Sequence, residues 1–264
     1  MAAWPRTFSR VFGRLGMTLG LLLIFAAPAA AAPESLKLND GTEIPLRVYS
    51  ARGDTQVLWL ACDEGHGTRE ALSSWNLATG GIEAWLPDYL GGHFLPVAPS
   101  SMEQVSGEEV AALIDLALAS SNKKIYLVSA GRGALPTLLG IRAWQEKHPG
   151  RGGPQGAILF YPELYAATPA PGAEAQYHPV VIHTSVPVFV YQGQRSPGRW
   201  WLEHLRAALE SGGSKVRSEI LPGVRGYFFV RQDSSPAEEA MAKTLPELIR
   251  KAMKSIDEIN GVQP

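Results

Sequence analysis

Cysteine occurs once in the 264 residues, at Cys62. One thiol cannot close an intramolecular disulfide, so a disulfide-stapled scaffold is excluded and a stable core must come from apolar burial. Basic excess is missing as well. With 24 Lys plus Arg against 25 Asp plus Glu the formal charge is -1, which provides no field to hold a polyphosphate backbone and speaks against nucleic-acid binding. There are no internal repeats, and no apolar run approaches the ~20 residues that span a bilayer. What remains is an ordinary globular composition, 45% hydrophobic and 9% aromatic, with enough chain for one large domain.

No acid precedes Glu34, and the first 31 residues have an order of their own. Arg6, Arg10 and Arg14 lead into the apolar stretch from Leu15 to Ala27, followed by Pro28, Ala29, Ala30 and Ala31. Basic, then apolar, then small is the pattern of a secretory signal. Cleavage after Ala31 sets Ala29 and Ala31 at the small-residue positions, and cleavage one residue to either side also fits. Removing 31 of 264 residues leaves 233. The three arginines leave and no acid does, so 24 basic against 25 acidic becomes 21 against 25, a net of -4. The other reading is an uncleaved anchor, for which 13 apolar residues are short. The expected product is exported, periplasmic or secreted, with no stable membrane span. Cys62, directly after the apolar run Val57 to Ala61, then reads as a small buried thiol rather than a reactive or intermolecular one.

Along residues 32–264 the pattern alternates. Ser35 to Leu38 and Ile44 to Tyr49 read as two strands joined through Asn39-Asp40-Gly41. Apolar runs at Gln56 to Ala61, Glu83 to Pro87, Lys124 to Ser129, Ala157 to Tyr161, Val186 to Tyr191 and Arg217 to Leu221 read as further strands. Helical segments lie between the later ones. Ser106-Gly107-Glu108-Glu109 is a capping-box pattern, Gly133 to Gln145 follows the Lys124 strand, and Trp200 to Glu210 ends at Gly212-Gly213. Ser235-Pro236-Ala237-Glu238 opens a C-terminal helix in which Pro246 predicts a kink. The expected class is α/β, a mostly parallel sheet of about eight strands flanked by helices.

The sharpest motif is Tyr126-Leu127-Val128-Ser129-Ala130-Gly131-Arg132-Gly133-Ala134, a strand, a glycine-rich turn and a helix. It resembles the nucleophile elbow of the α/β-hydrolase superfamily, whose pattern is G-x-S-x-G. The resemblance covers nearly all of residues 32–264 and implies a single α/β-hydrolase-like domain with a short cap insert at about 162–185. In the best register Gly131 stands where the nucleophilic serine belongs. Gly193-Gln194-Arg195-Ser196 resembles the acid turn with Ser196 in place of the acid. Pro222-Gly223-Val224-Arg225-Gly226 resembles the histidine turn with Gly226, or Arg225 if the loop shifts by one, in place of the histidine. A hydroxyl needs a positioned base, and the base needs an acid to fix its tautomer, so three losses together remove the superfamily's serine chemistry. A register shifted by two would make Ser129 the nucleophile, but it puts the bulky Leu127 at the crowded first-glycine position.

Other groups fall at strand ends, where open α/β sheets place ligands. Asp63-Glu64-Gly65-His66-Gly67 lines a pocket in one reading and is a solvated turn in the other. As a metal site, even with His93, it lacks a convincing full ligand set, so no metal or cofactor is expected. Tyr161 and Glu163 open the insert, while Tyr177, His178 and His183 read as surface or packing residues. Trp59 and Trp85 read as core; the Trp200-Trp201 pair must turn one ring outward and is a conceivable partner anchor. The expectation is a ligand-binding or accessory protein without a triad, with Glu64, His66, Gly67, Gly131, Arg132, Tyr161 and Glu163 bordering a crevice for a small molecule or an envelope protein. The alternative is an exported esterase or acyl hydrolase using Ser129 and His66.

Overall fold

The computed structural model describes Met1, residues 33–167 and residues 174–261; the expected signal segment therefore lies outside the described residues, as does part of the expected insert. Ala32–Pro264 forms one compact unit. Eight strands, β1 (Ser35–Lys37), β2 (Glu43–Tyr49), β3 (Thr55–Trp59), β4 (Ile82–Pro87), β5 (Lys124–Ala130), β6 (Gly156–Phe160), β7 (Val188–Gly193) and β8 (Val216–Leu221), make one sheet. Their order is β1-β2-β4-β3-β5-β6-β7-β8, antiparallel at β1-β2 and β2-β4 and parallel from there on. The helices are α1 (Thr68–Thr79), α2 (Tyr89–Gly92), α3 (Gly107–Ser120), α4 (Ala134–Lys147), α5 (Leu202–Ser211), α6 (Pro236–Lys243) and α7 (Leu245–Asn260).

Both faces of the sheet are covered, which is why its central strands are apolar at nearly every position. Side chains alternate along β5: Ile125 and Leu127 join Leu58, Leu159, Val190, Leu113 and Leu138 on one side, while Tyr126, Val128 and Ala130 join Val57, Trp59, Phe160, Ile249 and Ile256 on the other. Helix α7 shows how sequence spacing selects its face. Leu245, Ile249, Ala252, Met253 and Ile256 recur at helical intervals and are buried, and Gly261 ends the helix at φ +73°. These two cores hold the C-terminal ends of β3, β5, β6, β7 and β8 side by side.

Three local expectations need correction. Pro246 breaks the C-terminal segment rather than kinking it: α6 ends at Lys243 and the proline sits in the first turn of α7, where its missing N–H leaves no bond unmade. Ser106 caps α3 by accepting from the Glu109 N–H at 3.3 Å, but the reciprocal half of the box is absent because the Glu109 carboxylate lies 2.8 Å from His93 Nε2. Helix α1 has no counterpart in the pattern reading; Leu72 and Trp75 are exposed, Ser73 and Ser74 buried, so its apolar periodicity is weak. Cys62, Trp59 and Trp85 are buried, as expected. Among the described residues no helix is long and apolar enough to cross a membrane.

Candidate functional site

The strand-to-helix turn after β5 has the geometry of an elbow. Gly131 takes φ +52°, a left-handed conformation that L side chains rarely adopt, in a short 3-10 turn leading directly into α4. Gly133 is pressed against the Ala61 carbonyl, so no β-carbon fits there either. The Gly131 carbonyl accepts the Glu163 N–H at 2.9 Å, which ties the loop after β6 to the elbow.

The space that a residue-131 side chain would fill is already taken. A β-carbon built on Gly131 meets the Tyr227 hydroxyl and lies 2.6 Å from its Cζ, well inside ordinary carbon contact. Tyr227 follows the turn after β8, takes φ +60°, stacks obliquely on Tyr161 at 5.0 Å and donates to Asp63 Oδ1 at 2.8 Å. Burial first, and the charges of Glu163 and Asp63 second, push its phenol far above the usual range, so it stays protonated. A neutral phenol held by carboxylates is a donor, not a nucleophile.

The turns that carry Ser196 and Gly226 also meet. A β-carbon on Gly226 would lie 3.5 Å from Ser196 Oγ and 3.9 Å from the Tyr161 side chain, ordinary contact distances with no clash. Around them opens a cleft of about 340 Å³ lined by Tyr161, Glu163, Gln192, Arg195, Ser196, Gly226 and Tyr227, among others. Glu163 is 3.4 Å from Arg132, which also reaches Glu103 at 3.1 Å. Arg225 is held by Glu238 and Asp233, and Arg231 by Asp233.

The sequence-predicted residues do not form one site. Tyr161 and Glu163 line this cleft, and Gly131 lies beneath Tyr227. Glu64 and His66 instead line a separate hollow of about 620 Å³ with Arg47, Leu86 and Asp88. His66 Nε2 lies 3.2 Å from the Pro87 carbonyl, and burial lowers its pKa to about 4. Gly67 caps α1, its N–H donating to Glu70 Oε2 at 3.1 Å. Ser129, on β5 opposite Leu159, is fully buried and its Oγ has no hydrogen-bond partner among the described residues. His93 is taken up by Glu109, and no group of three or more His, Cys, Asp or Glu among the described residues could hold a metal ion. Trp200 is the outward ring of its pair, 75% exposed, with the Arg199 guanidinium 4.1 Å from its centre.

Two functional groups escaped the pattern reading. Tyr227 stands one residue beyond Gly226, where a large side chain directly after a glycine in the turn following β8 is a signal. Glu70 lies three residues after Gly67, the spacing of a capping carboxylate; it is 1% exposed, and burial raises its pKa to about 7.

No family model matches the chain, and no curated protein matches it in sequence. Solved structures do. The esterase Est2 of Thermogutta terrifontis superposes with a TM-score of 0.59 at 14% identity, covering 90% of this chain and 95% of that one. Est1E of Butyrivibrio proteoclasticus, solved with ferulic acid bound, gives 0.55 at 12% identity over 83% of this chain and 99% of that one. A protein of Klebsiella pneumoniae described as a dienelactone hydrolase gives 0.55 at 15% identity over 77% and 90%. The strand order, the elbow at Gly131 and these superpositions agree: the chain has the α/β-hydrolase fold.

Proposed function

We propose that this is an exported ligand-binding or accessory protein that keeps the α/β-hydrolase fold without its Ser-His-Asp machinery. The observation that carries this reading is the Tyr227 hydroxyl standing in the side-chain space of Gly131, with Ser196 and Gly226 facing each other where acid and histidine would be. Catalysis by a serine requires a base within hydrogen-bond reach, and neither Gly131 nor the buried, unpartnered Ser129 Oγ has one. The cleft between the turns is the binding region; Glu163 and Tyr161 line it, and Arg132 pairs with Glu163 at its edge.

A second reading, an exported esterase or acyl hydrolase using Ser129 and His66, is favoured by the company the fold keeps, since the similar structures include esterases. Hydrolysis of short-chain p-nitrophenyl esters separates the two. The binding reading predicts no release above buffer. Turnover that disappears in Ser129→Ala establishes the hydrolase instead. Export is tested on chain recovered from a bacterial periplasm, whose N-terminus is expected within one residue of Ala32; full-length chain retained in the membrane would refute it.

A further inference from the structure

The cleft at the acid and histidine turns differs from a triad pocket in the sign of its charge. Where a carboxylate would stand there is Ser196, and the residue before it, Arg195, is an exposed cation that also lines the cleft. Among the described residues no carboxylate lies within ion-pair distance of Arg195, whereas the other charges of the lining are already paired: Arg225 with Glu238 and Asp233, Arg231 with Asp233, Glu163 with Arg132. One uncompensated guanidinium is left at the mouth.

Two further observations say what it faces. Gln192 is 4% exposed yet lines the cleft; its Oε1 accepts the Gly193 N–H at 3.1 Å, which leaves the amide NH2 as the donor available there. The floor is the Tyr161 and Tyr227 ring pair, with Pro162 beside it, an apolar surface under polar donors. A volume of about 340 Å³ is at the small end of ligand pockets and suits a small molecule of about one ring.

We propose that this cleft binds a small organic acid as its anion, the carboxylate directed to Arg195 and the Gln192 amide and an apolar body of about one ring against Tyr161 and Tyr227. The inference rests on the binding reading above and names its ligand class. A guanidinium and an amide NH2 both donate, and only the carboxylate's charge turns the contact to Arg195 into a charge-assisted pair, which a neutral amide or ester, accepting through its carbonyl alone, does not form.

The probes are benzoate and its neutral isostere benzamide, titrated calorimetrically into the full chain at pH 7 and low salt, with Arg195→Gln as the variant and circular dichroism to show that it is folded. Benzoate is expected to bind at least tenfold more tightly than benzamide, and Arg195→Gln to weaken benzoate about tenfold while leaving benzamide unchanged. Equal binding of the two probes, no benzoate binding up to millimolar concentration, or an unaltered benzoate affinity in the variant overturns the proposal. Incubation with methyl benzoate runs alongside: release of benzoate that Ser129→Ala abolishes would defeat the non-hydrolytic reading, whatever the titration gives.

Discussion

The hydroxyl of Tyr227 occupies the place where a side chain on Gly131 would begin, and both residues hold positive φ angles, +60° and +52°. A tyrosine in the left-handed region is strained by ~1–3 kcal/mol and persists only where its surroundings over-determine it. Here the ring packs against Tyr161 and the hydroxyl is fixed by Asp63. The space beside Gly131 is thus filled from the turn that carries Gly226 and Tyr227.

Gly131→Ala is predicted to destabilise the fold by about 2–4 kcal/mol, from the positive φ and the collision with Tyr227 together. Tyr227→Ala removes the collision. The double variant should therefore lose clearly less than the sum of the single losses in denaturant melts, and strict additivity would show that the two side chains do not compete for one space.

The histidine end should behave differently. A β-carbon on Gly226 makes only contacts of 3.5 Å and more, so the pair Ser196→Asp and Gly226→His is predicted to melt within a few degrees of the parent. Gly131→Ser, which meets Tyr227, should lower the melting temperature more than that pair. The reverse order would contradict the geometry.

Much of this was legible in the residues. Every strand appears within about two residues of its expected end, because apolar runs buried on both faces leave a plain trace, and Gly131, Ser196 and Gly226, singled out by resemblance to the superfamily's turns, follow β5, β7 and β8. What fills the gap was not legible: Tyr227 and Asp63 are 164 residues apart and meet only in the fold. Nor could spacing show that His66 turns to the Pro87 carbonyl and lines a different hollow from Tyr161, since a one-residue change in a loop reverses where a side chain points.

Two buried groups give the stability opposite pH dependences. Burial raises the Glu70 pKa from 4.5 to about 7, so its contribution is complete below pH ~4.5 and is lost as pH rises through ~7, a change of about 3 kcal/mol. Burial lowers the His66 pKa from 6.5 to about 4, so its contribution is present above pH ~6.5 and is lost as pH falls through ~4. Glu70→Gln should flatten the alkaline decline of the melting temperature between pH 5 and 8 without changing the acid side. An unchanged alkaline slope would show that Glu70 is not the group responsible.

Glu238 carries the turn that presents Gly226 and Tyr227. It is fully buried, caps α6 through the Ser235 N–H, and accepts three bonds from Arg225, from the backbone N–H, Nε and Nη2. The Arg225 bonds hold its carboxyl well below the usual range, so this contribution is complete above the ordinary carboxylate pKa of 4.5 and is lost progressively as pH falls below it. Arg225→Gln leaves the buried carboxylate short of a partner and is predicted to lower the melting temperature by several degrees, more at pH 7 than at pH 3. An equal fall at both pH values would rule out the ion pair as the cause.

The proposed binding role requires that this α/β-hydrolase fold carry no activated serine. Intact-mass measurement after incubation with a fluorophosphonate tests it most directly, because such probes report a nucleophilic serine whatever its natural substrate. A mass unchanged from that of the untreated chain is expected; one adduct per chain, mapped to Ser129, would contradict the proposed role.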